Sequence, residues 1–278
     1  MVPETIEWCH PPQLEGVEVL RAERSPRLWR VFHEAYAICT PFDGASRWDY
    51  RAQSHYTTVG DLMLLEPGEV HATRVILGPR HASFKVIFIP PSVVAQAGKE
   101  LGLRSTPPHL NVAGISDAVL FQAFARLHSS VESCATALEC QTRLAACLRL
   151  FLERCAEEPL PSAVPKPPGN AALRRARDFL EAQSSDNVTL ETLAEVTGLS
   201  RFHLAHAFKA QFGVPPHAYQ LQVRLARARA LLAGGMTAAA VAAQTGFADQ
   251  SHLTRHFSRA FGVTPAAYAH AARIRTGQ

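Results

Sequence analysis

No stretch of this 278-residue chain approaches the roughly 18–20 consecutive apolar residues that a membrane-crossing helix needs. None of its six cysteines forms a CxxC pair, and no His-x-His pair occurs anywhere. The cysteines are Cys9, Cys39, Cys134, Cys140, Cys147 and Cys155, and the last 123 residues hold none. The spacings between the last four (6, 7 and 8 residues) fit no zinc site, so reduced thiols in a cytosolic protein are expected, with no metal or other cofactor. Met1–Glu7 is acidic and lacks the pattern of a signal peptide. Carboxylates are scarce in one region only. Residues 170–278 carry 12 Lys/Arg against 6 Asp/Glu, net +6, whereas residues 1–169 carry 16 against 18, net −2. A basic domain joined to a mildly acidic one suits binding to a polyanion by the first.

The basic region is written twice. Thr197-Gly198 returns as Thr245-Gly246 at an offset of 48, and His203, Leu204, Phe208, Phe212, Gly213, Val214, Pro216 and Tyr219 return at an offset of 49. A repeat of this length is one supersecondary unit used twice, with one residue inserted in the second turn. Leu190, Leu193 and Ala194, and again Ala238, Val241 and Ala242, sit at helical i, i+3, i+4 spacing. Gly198 and Gly246 then fall where a helix must end in positive φ, which glycine adopts at low cost. Ser200 and Asp249 are suited to cap the next helix, and Gly213 and Gly262 to close it. Two helices joined by a short glycine turn make a helix-turn-helix, whose second helix enters the DNA major groove.

Helical periodicity assigns the faces of those second helices. Leu204 and Phe208 are expected inward, with Phe202, His206 and Lys209 outward; Leu253, Phe257 and Phe261 inward, with Ser251, Arg255 and Ser258 outward. The expected DNA contacts are Arg201, Phe202, His206 and Lys209 in the first copy, and Gln250, Ser251, Thr254, Arg255 and Arg259 in the second. Arg255 is the foremost base reader, because its planar fork can grip guanine bidentately. A helix expected over Pro216 to Ala233 joins the copies, with Leu221, Leu225, Ala228 and Leu232 as its stripe and Arg224, Arg227 and Arg229 outside it. Two heads on one face of B-DNA must lie about 34 Å apart.

The block from Ala171 to Arg273 resembles the DNA-binding domain of AraC-type bacterial transcription regulators, most specifically in Ala242-Ala-Gln-Thr-Gly-Phe-Ala-Asp-Gln-Ser-His-Leu-Thr-Arg-His-Phe and the following Phe261-Gly-Val-Thr-Pro. The resemblance implies a protein of the bacterial cytoplasm and nucleoid that binds double-stranded promoter DNA and contacts RNA polymerase, more as activator than repressor. The chain departs from the family pattern at Ala205 and His206, where members often carry Arg and a polar partner. The second head is therefore expected to carry more of the specificity.

Residues 156–170 hold five prolines and read as a semi-extended linker between domains over 1–155 and 171–278. Ahead of it, Ile115 to Arg154 reads as one or two helices, with stripes Val119, Ala123, Leu127, Val131 and Leu144, Leu148, Phe151 or Leu152, suited to packing and to homodimer formation. Residues 15–95 read as short strands: Val17–Leu20, His33–Ile38, Tyr56–Val59, Asp61–Leu65 and Phe84–Ile89. The segment Gly60-Asp-Leu-Met-Leu-Leu-Glu-Pro-Gly-Glu-Val-His71 is similar to cupin-like sensor domains. The expected fold is therefore a cupin-like β-barrel with following helices, then an all-α domain of two helix-turn-helix units. The barrel is expected to bind a small-molecule effector, with Trp29, His33, Tyr36, Trp48 and His71 as pocket residues. Two rival readings stand beside this one. A metal-dependent cupin enzyme would use His33, Glu34, His55 and His71, and a purely dimerising regulator would have no small ligand. The expectation is a regulator, not an enzyme.

Overall fold

A computed structural model describes residues 4–25, 29–31, 33–51, 53–77, 81–104, 107–110, 113–160 and 170–276. The chain divides into two compact units, the first built on residues 1–166. Its strands are β1 (Thr5–Cys9), β2 (Glu18–Ser25), β3 (Trp29–Val31), β4 (Tyr36–Asp43), β5 (Ala45–Tyr50), β6 (Gln53–Thr58), β7 (Leu62–Leu65), β8 (His71–Leu77), β9 (Ala82–Ile89) and β10 (Gly114–Ile115). They form two antiparallel sheets, in the orders β1-β2-β9-β4-β7-β10 and β3-β8-β5-β6. One apolar core joins them: Leu20, Cys39, Phe84, Val86 and Phe88 of the larger sheet pack with Trp48 and Tyr50 of the smaller. The segment singled out from Gly60 to His71 supplies a turn at positive φ (Gly60), all of the buried strand β7, a second positive-φ turn (Gly68), and the start of β8. The Gly68 N–H donates to the His33 carbonyl at 2.7 Å, which ties His33 beside His71.

Helices α1 (Pro91–Glu100), α2 (Ala118–Glu132) and α3 (Ala137–Cys155) complete this unit. Asp117 caps α2 by accepting from Val119 and Leu120 N–H groups, and Thr136 caps α3. The second expected stripe is buried as read, but the first is shifted: Val119 is exposed, and Leu120, Phe124, Leu127 and Val131 face inward. Starting the helix at the Asp117 cap sets a phase that alternation of apolar residues alone had left open. The Glu132 carboxylate takes Arg21 and Lys85 of the neighbouring strands at 3.3 and 3.1 Å, fixing α2 to the larger sheet. The first residues of the Pro-rich stretch are not free linker. Ala156 bridges to Leu110, and the Glu157 N–H donates to the His109 carbonyl at 2.9 Å. Residues 161–169 of that stretch lie outside the described residues.

The second unit is all helix: α4 (Asn170–Ala182), α5 (Leu190–Thr197), α6 (Arg201–Phe212), α7 (Pro216–Ala233), α8 (Ala238–Gln244), α9 (Gln250–Phe261) and α10 (Pro265–Thr276). The repeat folds as a repeat. Phe208 packs on Phe212 at 4.5 Å and edge-on to Tyr219 at 5.7 Å, and Phe257 packs on Phe261 at 4.5 Å and edge-on to Tyr268 at 5.5 Å. These tilted and edge-to-face geometries are the favoured ones for aromatic rings and close each helix onto the next.

Candidate functional site

Each helix-turn-helix is α5–α6 or α8–α9. Thr189 and Thr237 cap the first helices through the N–H groups of Thr192 and Ala240. Gly198 and Gly246 take φ values of 72° and 79°, which turns the chain sharply between the paired helices. Ser200 Oγ accepts from His203 N–H at 3.3 Å and Asp249 Oδ1 from His252 N–H at 2.7 Å, so the second helices begin where the sequence placed their caps.

On α9, Leu253 and Phe257 are buried, which leaves Gln250, Ser251, Arg255 and Arg259 exposed. Among the described residues neither Arg255 nor Arg259 makes an ion pair, so both guanidinium groups are presented to solvent. Thr254 is half-buried, and its hydroxyl donates to the Gln250 carbonyl at 2.8 Å on its own helix. Ser258, expected outward, is half-buried with its Oγ enclosed. Across the inner flank of α9, His252 and His256 pack on each other at 4.7 Å and on Phe247 at 5.4 and 6.2 Å. Burial and the neighbouring His252 push His256 down to about 4, so both the packing and the neutral ring persist at pH 7.

On α6, His206 and Lys209 are exposed as expected, and Arg201 is half-buried. Phe202 stands on the first turn of the same helix.

The connector α7 holds more than a stripe. Arg224, read as lying outside the stripe, is 5% exposed. Its Nε and Nη2 donate to the carbonyls of Ser184 and Asp186 at 2.6 and 2.9 Å, and Gln220 Nε2 donates to the same two at 3.3 and 3.2 Å. A buried guanidinium is tolerated because these carbonyls replace its water. The opposite side of that loop meets the second head, where a side chain on Gly246 would lie 2.4 Å from the Ser185 carbonyl oxygen. The loop between α4 and α5 is thus gripped by the connector and by the turn of the second head together. Sequence reading missed this joint.

Within the β-rich unit a small cavity of about 60 Å³ opens between the sheets, lined by His33, Trp48 and His71 of the expected pocket set, together with Trp8, Phe84 and Phe88 among others. Tyr36 is not among them. On β4 its neighbour Ala37 faces the core, so strand alternation turns Tyr36 to the other face, where its hydroxyl donates to the Pro108 carbonyl at 3.1 Å. Trp29 sits on β3 with its backbone opposite Thr73, and its side chain lies outside the described residues. His33 and His71 meet at 5.1 Å between rings, but Glu34 is exposed and His55 packs near Tyr50 on β6. Among the described residues no three His, Cys, Asp or Glu side chains are placed to share a metal, so the ligand set of the enzyme reading does not converge.

Two family models match the chain: a helix-turn-helix domain over residues 193–271 and an AraC-like ligand-binding domain over residues 16–148. The HTH-type transcriptional regulator YbfI of Bacillus subtilis is 30% identical over 222 residues, which cover 80% of each chain. The chain belongs to the AraC family of transcription regulators. The thermoregulatory protein LcrF of Yersinia pestis is 24% identical to this AraC-family chain, covering 91% of it and 96% of LcrF. Among solved structures, the DNA-binding domain of AdpA in complex with a target DNA covers 41% of the regulator and 99% of the AdpA chain, at 29% identity and a TM-score of 0.35. The family makes the helical unit of this regulator its DNA-binding domain and the β-rich unit its ligand-binding domain. Among the described residues, no helix of the regulator is long and apolar enough to cross a membrane.

Proposed function

We propose that this AraC-family protein is an effector-responsive activator that reads one operator with two unequal heads. The exposed guanidinium of Arg255 on α9, with Arg259 beside it and no carboxylate engaged, carries this reading. Arg255 grips a guanine edge in the major groove; Gln250 and Ser251 contact the same segment; Lys209, Arg201 and Arg259 hold phosphate. His206 reads in the adjacent groove segment with fewer hydrogen bonds, as α6 offers no arginine at the matching position. RNA polymerase meets the DNA-bound protein, and a second copy joins through the helices of the β-rich unit. An effector in the cavity of the first unit must bind the activating arrangement more tightly than the inactive one, since equal affinity would shift nothing.

The test is selection of DNA sites by the purified full-length protein, followed by binding of Arg255→Ala to the selected site and to its single-base variants. The expected result is lost discrimination at one base pair. Equal weakening on every sequence would assign Arg255 to phosphate and remove the base-reading claim.

A further inference from the structure

We infer that the effector pocket takes an uncharged aromatic alcohol of a single ring, held flat among Trp8, Trp48 and Phe88 with its hydroxyl donating to His71 Nε2. The inference rests on the effector reading above and specifies the chemistry of its ligand.

Charge is excluded first. Among the described residues no Lys, Arg, Asp or Glu lines the cavity, so a carboxylate or an ammonium would lie unpaired among them at severe cost. Sugars and other polyols meet few partners, since beyond the imidazoles of His33 and His71 the polar groups are engaged or weak. The Trp48 indole N–H is already given to Thr57 Oγ1 at 2.8 Å, and the Thr73 hydroxyl is turned to the Arg47 carbonyl at 3.4 Å. Cys39 offers only a thiol that burial keeps protonated, a weak hydrogen-bonding group.

One polar atom stands out. The Glu69 carbonyl lies 3.4 Å from His71 Nδ1, and a carbonyl only accepts, so the ring proton resides on Nδ1. Nε2 is left as an acceptor, to which a ligand hydroxyl can donate. Burial pushes His71 down to about 4, which keeps that lone pair available at neutral pH. Aromatic rings make up most of the remaining wall, with Leu20 and Val86 among them. Trp8 stacks on Phe88 at 5.5 Å with 16° between planes, His33 meets Phe88 edge-on at 4.7 Å, and Trp48 lies 6.2 Å from His71.

Size fixes the ring count. An apolar cavity of roughly 150 Å³ accepts benzene, and this one holds about 60 Å³. A single ring therefore enters only if one wall yields. Trp8, on the outermost strand of its sheet and 50% exposed, is the wall with solvent behind it. Fused rings would need the buried walls to yield as well.

The experiment titrates full-length protein with phenol, benzyl alcohol, toluene, benzoate, benzylamine and xylose, following tryptophan emission and thermal unfolding. Phenol or benzyl alcohol is expected to saturate, change the emission of Trp8 and raise the unfolding temperature, with toluene about tenfold weaker for lack of the hydroxyl. In His71→Leu that preference should fall to about onefold while toluene still binds, which also shows that the variant is folded. Trp8→Ala, altering a half-exposed residue, should weaken both and remove the emission change. The inference is overturned by saturable binding of benzoate, benzylamine or xylose in place of the alcohols. It is equally overturned by equal affinity for phenol and toluene, by a phenol preference that survives in His71→Leu, or by no saturable binding of either alcohol. The effector reading is tested separately with the same compounds and a DNA site selected by the protein. An alcohol that binds without changing DNA affinity sinks the effector reading and leaves the ligand class standing; benzoate or xylose changing DNA affinity does the reverse.

Discussion

The two heads of this protein share their aromatic triangles and their caps, yet they differ at three places. The turn of the first head is open around Gly198, with no atom within 4 Å of where a side chain would stand, whereas Gly246 is closed against Ser185. The outward face of α6 offers His206 and Lys209, and that of α9 offers Arg255 and Arg259. Beneath α9 lies the packed trio Phe247, His252 and His256, for which the first copy has Leu199, His203 and Ala207. A duplicated sequence has thus produced one head whose turn glycine is closed against a neighbouring loop and whose outward face bears arginine, and another whose turn, held by Arg175 at the Thr197 carbonyl, leaves its glycine open and whose outward face is poorer in hydrogen-bond donors. Duplication conserved what folds the unit and left the remaining positions to diverge.

Substituting the turn glycines separates the heads most widely. Gly246→Ala combines positive φ with a clash against the Ser185 carbonyl oxygen, whose chain neighbours Ser184 and Asp186 are held by Arg224 and Gln220. A loss of about 3–5 kcal/mol is expected, enough to unfold the second head in many conditions. Gly198→Ala meets only the conformational cost, about 1 kcal/mol. Urea unfolding of the two full-length variants measures the difference. Equal losses would mean that the Ser185 contact relaxes freely and that the heads are not unequally anchored.

Base reading separates them next. Arg255→Ala should weaken binding to the selected site by about 1–3 kcal/mol and relax one base position. His206→Ala should cost less than about 1 kcal/mol, because a single imidazole makes at most one good base contact. Arg259→Ala should weaken every sequence alike and lower the slope of affinity against salt by about one. Competition assays across single-base variants and salt series decide all three. A larger loss from His206→Ala than from Arg255→Ala would invert the comparison.

How much of this could be read from residues alone follows from the range of the forces involved. The turns, caps and core of the reading heads are local, set by glycine conformation, hydroxyl or carboxylate caps and a 3.6-residue period, and they stand where the spacing put them. The buried strand β7 and its flanking glycine turns were equally local. Strands β1, β3, β5, β8 and β10 were missed because a stretch such as Ala-Ser-Arg-Trp-Asp-Tyr or His-Ala-Thr-Arg-Val-Ile-Leu becomes strand through its partners across the sheet, not through its own composition. Arg224 was missed for a related reason. Its partners lie 38 and 40 residues earlier in the chain, and an arginine gives no sign in sequence that carbonyls will surround it. Of the pocket residues, His33, Trp48 and His71 converge, while Tyr36 was misplaced by a single step of strand alternation.

The gentlest distinction between the heads is their response to acid. The folded value of His256 lies near 4 against an ordinary 6.5, lowered by burial first and by His252 next, and His252 is itself lowered by burial. As pH falls below about 6.5 the unfolded chain takes up protons that the folded second head refuses. The stability held by these neutral rings is therefore complete above pH 6.5 and drains away toward pH 4. The first head has alanine where His256 stands, so it lacks this dependence at that position. Replacing His256 by alanine should flatten the fall in the urea midpoint between pH 6.5 and 4, even though the lost ring lowers stability at neutral pH. Absolute stability would move for any loss of packing, so the slope is the informative quantity. An unchanged slope would show that the ring is protonated within the fold, and that the trio under α9 is held by shape alone.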